Sequence, residues 1–290
     1  MPSPHAPAGV LAFGYVAPNV TPRARLDMAQ FWIEIGLAAR LEIIVTETPS
    51  YAALTRELLE EHVDFAWLPP IPFVALERRQ GAVPLVSHHR SGSSHFQSVL
   101  ITHKASAIEK ATDVAGTRAG WVDPHSASGY VLPRIELAAL GIDPKTAFAT
   151  ERFYRSHEGV VRAVLERRAE FGGTWIGRDR DGAIVRAPWQ EMIGAEAIRI
   201  VQTFGDIPSD TIAARPGLAV ADAEAVRHAL IATSKDFPDL VRDIFGVDEF
   251  TPWAAEGYDM LRNSTMQASD RGLIEGNEKG DRSSGRLAPR

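Results

Sequence analysis

Residues 122–134 read VDPHSASGYVLPR. The stretch follows a short β-like run over 118–122 and leads into a segment with helical spacing. Between them stand Asp123-Pro124, which stops a strand and opens a turn, and then Ser126, Ala127, Ser128 and Gly129. A strand that turns into a helix leaves unpaired backbone N–H groups and the positive end of the helix dipole at the mouth of the turn. Ser126 and Ser128 add hydroxyl donors there, and Gly129 permits a close approach to the backbone. Two readings of the stretch stand side by side. In one, a serine caps the helix that begins near Tyr130. In the other, the turn seats a tetrahedral oxyanion.

On both sides of this turn the chain alternates strands and helices, the pattern of an α/β fold with mostly parallel sheets. Strands are expected over 10–16, 41–46, 63–68, 99–102, 118–122, 148–154, 170–175 and 198–203. Helices are expected over 23–37, 51–60, 72–79, 108–114, 130–140, 156–165, 222–233 and 238–245. Ser50 and Ser156 stand at N-cap positions, Gly141 suits a helix end, and Gly172-Gly173 marks a closely packed strand. The segment 178–191 reads as loop and linker. From 268 onward the chain is polar and rich in glycine and charge, and is expected to be disordered.

The bulk properties narrow the function. With 290 residues, 45% of them hydrophobic, the chain has material for two lobes. A net charge of -6, from 31 basic and 37 acidic residues, provides no overall field for nucleic acid. No cysteine is present, so disulfides, thiolate metal sites and cysteine nucleophiles are excluded. No window approaches the roughly 20 apolar residues of a membrane span, and no basic-then-apolar leader is visible. The expectation is a soluble protein without membrane insertion, cytoplasmic as sequenced, or periplasmic if a signal was removed. Six of the nine histidines, His88, His89, His95, His103, His125 and His157, invite a metal reading. They show neither H-E-x-x-H nor H-x-H spacing, and adjacent His88 and His89 would point to opposite faces of a strand. No metal and no cofactor are expected. Nucleophile-elbow, Walker and dinucleotide-binding motifs are absent as well.

Several ordered motifs carry a family resemblance. The run Asp123-Pro-His-Ser-Ala-Ser-Gly-Tyr-Val-Leu-Pro133, the turn Leu140-Gly-Ile-Asp-Pro144 and Ser156-His-Glu158 ahead of an apolar helix resemble the substrate-binding proteins of phosphonate, phosphite and phosphate ABC importers. Phe13-Gly-Tyr15, Ser50-Tyr-Ala-Ala-Leu54, the run 63–70, Ile207-Pro-Ser-Asp210 and Ala214-Arg-Pro216 agree with it, so it spans about residues 10–250. The resemblance implies a two-lobed periplasmic-binding-protein-like fold of type 2, each lobe a mostly parallel sheet flanked by helices. Lobe one is then expected over 8–100 plus 202–267 and lobe two over 101–201, with crossings near 98–102 and 198–203.

The resemblance also implies a site. Ser126, the backbone N–H of Ala127, Ser128 and His157 would hold an anionic head, with Tyr51 and Tyr15 reaching it from the other lobe. Trp175 and Trp67 are candidates for an aromatic wall, although buried core is the alternative for both. Relatives that bind aminoalkylphosphonates place a carboxylate near Thr174-Trp175, and this chain has none there. Glu158 and Asp206 remain as candidate counter-charges. The expected function is binding of a small oxyanion-bearing ligand between lobes, as a transporter substrate-binding protein or a sensor, with an ABC permease or a sensor or biosynthetic partner. The alternative is a cytoplasmic biosynthetic enzyme on the same fold, using His157, His125 and Glu158 for acid–base work.

Overall fold

A computed structural model describes residues 9–17 and 20–273. Two sheets organise the chain. The first contains β1 (Val10–Val16), β2 (Glu42–Thr48), β3 (Phe65–Leu68), β4 (Val83–His89), β11 (Thr211–Ala214) and β12 (Glu249–Pro252), in the order β12-β4-β11-β3-β1-β2. The second contains β5 (His95–His103), β6 (Arg118–Trp121), β7 (Thr150–Phe153), β8 (Phe171–Arg178) and β10 (Ile198–Pro208), in the order β10-β5-β8-β6-β7. A short strand, β9 (Ile184–Arg186), pairs with β8.

Helices cover these sheets because their apolar residues recur at helical spacing. α1 (Pro22–Ala39) starts at Thr21, whose hydroxyl accepts the Ala24 N–H at 3.2 Å, and buries Met28, Phe31, Trp32 and Ile35 along one stripe. Phe31 and Trp32 pack with α6 (Val220–Asp236), α7 (Pro238–Phe245) and Phe250 in one cluster. On the other face, α2 (Tyr51–Leu59) and α3 (Pro70–Gln80) bury Leu54, Leu58, Phe73 and Leu76. That second cluster continues into the other sheet through Leu100, Trp121, Leu132 of α4 (Leu132–Ala139) and Leu261 of α8 (Tyr258–Asp270). The two lobes therefore share apolar packing at their junction. α5 (His157–Leu165) closes the remaining face of the second sheet, where a Cβ on Gly172 would stand 2.4 Å from Val160 Cγ1.

Several expectations change. The sheets are mixed, because β11 runs antiparallel to β3 and β4, and β5 runs antiparallel to β8 and β10. These are strands by which the chain passes between lobes, so they run against their neighbours. β5 and β10 pair along their length within the second sheet, and the chain passes from one sheet to the other at 90–94 and 208–210. Boundaries at 100/101 and 201/202 would cut through both strands. The segment 178–191 is not simply a linker, since β9 forms a hairpin with β8 around a turn in which Asp179 Oδ1 accepts two backbone N–H groups. Residues 268–270 complete α8, and Ala268 and Leu273 are buried, so order extends past the expected start of the tail. The tail beyond 273, residues 1–8 and Pro18-Asn19 lie outside the described residues.

Candidate functional site

The two sheets border a cleft of about 680 Å³, lined by the ends of elements from both. Tyr51 at the start of α2, Pro69 and Pro70 at the start of α3, Arg90 after β4 and Asp210 before β11 come from the first-sheet side. Ser126, Ala127, Ser128, His157, Trp175 and Arg186 come from the second.

The opening stretch forms a wide π turn over Ala127–Val131 that runs into α4. The Val131 N–H reaches back to the Ser126 carbonyl at 3.0 Å, and the Leu132 N–H to that of Ala127. The next donor in this register would be Pro133, which has no N–H. The Ser128 carbonyl instead accepts the hydroxyl of buried Ser98 at 2.9 Å, which ties the turn to β5. Ser126 spends its oxygen as a cap, accepting the Gly129 N–H at 3.0 Å. The N–H groups of Ala127 and Ser128 find no acceptor among the described residues, and neither does the Ser128 hydroxyl find a partner. The turn thus has Ser126 as its cap, as the first reading expects, while Ala127 and Ser128 present unused donors. Gly129 has a different role from the one expected. A Cβ there would stand 2.3 Å from Val122 Cγ2 and 2.8 Å from Ser126 Oγ, so glycine is required for packing behind the turn.

The second element at the cleft is α5, capped by Ser156, whose oxygen accepts the Gly159 N–H at 2.9 Å. His157 follows that cap, its Nδ1 3.0 Å from the Thr174 hydroxyl and its ring 6.3 Å from Trp175, edge to face. When Thr174 donates to Nδ1, the imidazole keeps an Nε2–H to donate elsewhere. Burial pulls its pKa down to about 4, so the ring is neutral at pH 7. Asp123 also lines the cleft, and burial raises its pKa against the pull of the His125 N–H at 2.8 Å. Thr174 fills the place where an acid was missed in the sequence, and it supports His157 rather than facing a ligand charge.

Of the expected residues, Ser126, Ala127, Ser128, His157, Tyr51, Trp175, His125 and Glu158 all line this cleft. Tyr15 and Asp206 do not. Tyr15 faces the apolar side of β1, stacked on Phe13, and donates its hydroxyl to Glu47 at 2.5 Å on the paired strand β2. Asp206 accepts from Gln97 at 2.9 Å and borders a separate hollow with Ser93, Arg180 and Met260. Trp67 stands behind the cleft wall, packed on His88 and Phe245, where its indole N–H holds Asp210 at 2.9 Å. Four arginines on the lining, Arg90, Arg155, Arg178 and Arg186, were not anticipated. They are scattered through loops and a hairpin, where no periodicity marks them. The one available signal was Asp181-Gly182, a hairpin turn that brings together the strands carrying two of them, Arg186 opposite Gly177 and Arg178 opposite Ile184.

Residues 17–258 match the family described as ABC transporter, phosphonate, periplasmic substrate-binding protein. The chain belongs to that family. Solved structures share its fold at low identity. A Xanthomonas citri protein bound to ATP superposes with a TM-score of 0.76 at 18% identity, over 91% of this chain and 99% of that one. A binding protein component of an ABC phosphonate transporter from Pseudomonas aeruginosa gives 0.72 at 19%, over 92% and 89%. PhnD1 from Prochlorococcus marinus, in complex with methylphosphonate, gives 0.69 at 14%, over 92% and 99%. The fold is accordingly the two-lobed periplasmic-binding type, and the protein is a substrate-binding protein of the phosphonate-importer family, binding its ligand for transport. That family is periplasmic, and among the described residues no helix is long and apolar enough to cross a membrane.

Proposed function

We propose that the cleft seats a phosphonate- or phosphate-type oxyanion on the π turn, with Ala127 N–H, Ser128 N–H, the Ser128 hydroxyl and His157 Nε2–H as donors. Tyr51, at the N-terminus of α2, approaches from the facing lobe, so ligand binding draws the lobes together and produces the closed form that an importer permease reads. The observation that carries this reading is the convergence of the N-terminal ends of α2, α5 and the π turn with α4 on one cleft. Each aims N–H groups and a positive dipole end at the same space, an arrangement suited to a tetrahedral anion. The Prochlorococcus marinus protein solved in complex with methylphosphonate supports the same ligand class.

The enzyme alternative draws no support from His157. A base poised for work at pH 7 has a pKa near 7, whereas burial holds this imidazole at about 4. Its role here is to donate a hydrogen bond and to place that donor by means of Thr174.

Calorimetric titration of the protein with methylphosphonate, phosphite and phosphate tests the reading. At 100-fold excess over Kd the preferred anion should stabilise the fold by about 2.7 kcal/mol, visible as a rise in Tm. Ser128→Ala removes a donor to a charged group, so affinity should fall roughly 10- to 100-fold while the Tm without ligand stays put. Failure of all three anions to raise the Tm refutes the proposal.

A further inference from the structure

We propose that the cleft holds a second anion subsite, in which Arg186 and Arg178 from the β8–β9 hairpin and Arg90 from the opposite lobe select phosphonates or phosphates that carry an additional anionic group. The inference rests on the proposed seat at Ser128 and specifies the rest of the ligand.

Hydrogen bonds tether two of the three guanidinium groups, and all three keep unused donors. Arg90 gives Nε to the Gly246 carbonyl at 3.0 Å and Nη2 to that of Phe245 at 3.2 Å, and its Nη1 has no partner among the described residues. Arg178 gives Nε to Gln97 at 2.8 Å and Nη1 to the Gly182 carbonyl at 2.8 Å, leaving Nη2 without a partner among the described residues. The Arg186 guanidinium makes no hydrogen bond or ion pair among the described residues, and lies over the Trp175 ring at 5.2 Å. The same indole makes a T-shaped contact with the His157 ring, centroids 6.3 Å apart. It therefore bridges the proposed seat and the arginines, a platform along which a short ligand extends from one to the other.

The charges near Arg186 do not cancel. Burial, and after it the like charge of Arg90 across the cleft, brings the Arg186 pKa down to about 10. Asp248 is the acid that acts on Arg186, but its carboxylate already accepts the Ser91 N–H at 2.5 Å and lies 3.7 Å from Arg242. Asp210 is shared between the Trp67 indole at 2.9 Å and Arg90 at 3.6 Å. Two cations from opposite lobes facing one cleft oppose its closure, and an anion placed between them reverses the sign of that interaction. A carboxylate or second phosphoryl group meets the requirement, since guanidinium groups bind both in fork geometry. An ammonium group would meet the same cations and be repelled.

The test is calorimetric titration with methylphosphonate, phosphonopropionate and aminoethylphosphonate. The wild-type protein should prefer phosphonopropionate over methylphosphonate by about tenfold or more, in line with one charge-assisted fork contact, and bind aminoethylphosphonate the weakest. Arg186→Gln should collapse the phosphonopropionate preference toward unity. Arg178→Gln, whose folding is checked by circular dichroism alongside, should reduce it as well. Binding of methylphosphonate with no added affinity for phosphonopropionate overturns this inference alone. So does a preference that survives both substitutions, or a preference for aminoethylphosphonate. A protein that binds none of the three overturns the seat at Ser128 and this subsite with it.

Discussion

Replacing His157 with asparagine should flatten the acid side of the stability curve. Burial holds the folded-state pKa of this imidazole at about 4, against an ordinary value of 6.5. Between those two values the unfolded chain takes up a proton that the folded protein refuses. Stability from this group is therefore complete above pH 6.5 and is lost as the pH falls towards 4. At about 1.36 kcal/mol per unit, the difference is worth about 3 kcal/mol, and the opening of the residue onto the cleft trims the expected loss to about 2–3 kcal/mol. His88 moves in the same direction because it is fully buried among Trp67, Phe245 and Phe250, but it is present in both proteins and cancels in the comparison. Urea unfolding of wild type and His157→Asn at steps from pH 7 to pH 4 reads the effect as a stability gap that narrows or inverts by that amount. An anion beside the ring favours the imidazolium, so methylphosphonate binding should also take up protons below pH 7. Calorimetry in two buffers of different ionisation enthalpy would detect the uptake, and the variant should lack it. Parallel stability curves for the two proteins would refute the reasoning, because a neutral buried His157 requires them to differ.

Two further substitutions probe the scaffold behind the site. Gly129→Ala drives a methyl group into Val122 and should cost about 1–3 kcal/mol while displacing the donors of the π turn; Val122→Ala in the same chain should restore part of both stability and phosphonate affinity, and strictly additive losses would count against the packing account. Arg134, 5% exposed, pairs with Glu151 and donates to the carbonyls of Leu273 and Pro144 at 2.9 and 3.0 Å, so Arg134→Ala should cost about 3–5 kcal/mol in urea unfolding, and a loss under about 1 kcal/mol would contradict its role in joining α4 to the end of α8.

The turn proposed as the seat was legible because it is local. Ser126, Ala127, Ser128 and Gly129 are consecutive, and the donors of a helix start follow from backbone geometry alone. The caps at Ser50 and Ser156 could be read for the same reason, and both accept the N–H three residues on. Tyr15 and Asp206 misled because strand position determines where a side chain points. Tyr15 lies directly opposite Glu47 in the parallel pairing of β1 and β2, and nothing in either segment taken singly announces that register. β11 and β12 escaped notice because each is four residues long and gains its place only by pairing with β3 and β4, far away in the chain. The arginines escaped for a related reason. Arg178 and Arg186 end the two strands of one hairpin and Arg90 follows β4 in the other lobe, so they come to one cleft only when the lobes are assembled.

From the order of its residues alone, the chain determined an α/β architecture, a family, and one wall of the cleft, since periodicity, caps and turn chemistry act over a few neighbouring residues. Tertiary structure decided which donors remain unused, which tyrosine lies in the core, that His157 is neutral, and that arginines from both lobes oppose each other across the same space. Burial and like-charge proximity are properties of packed neighbours distant in sequence, and they come into being only when the two sheets are assembled.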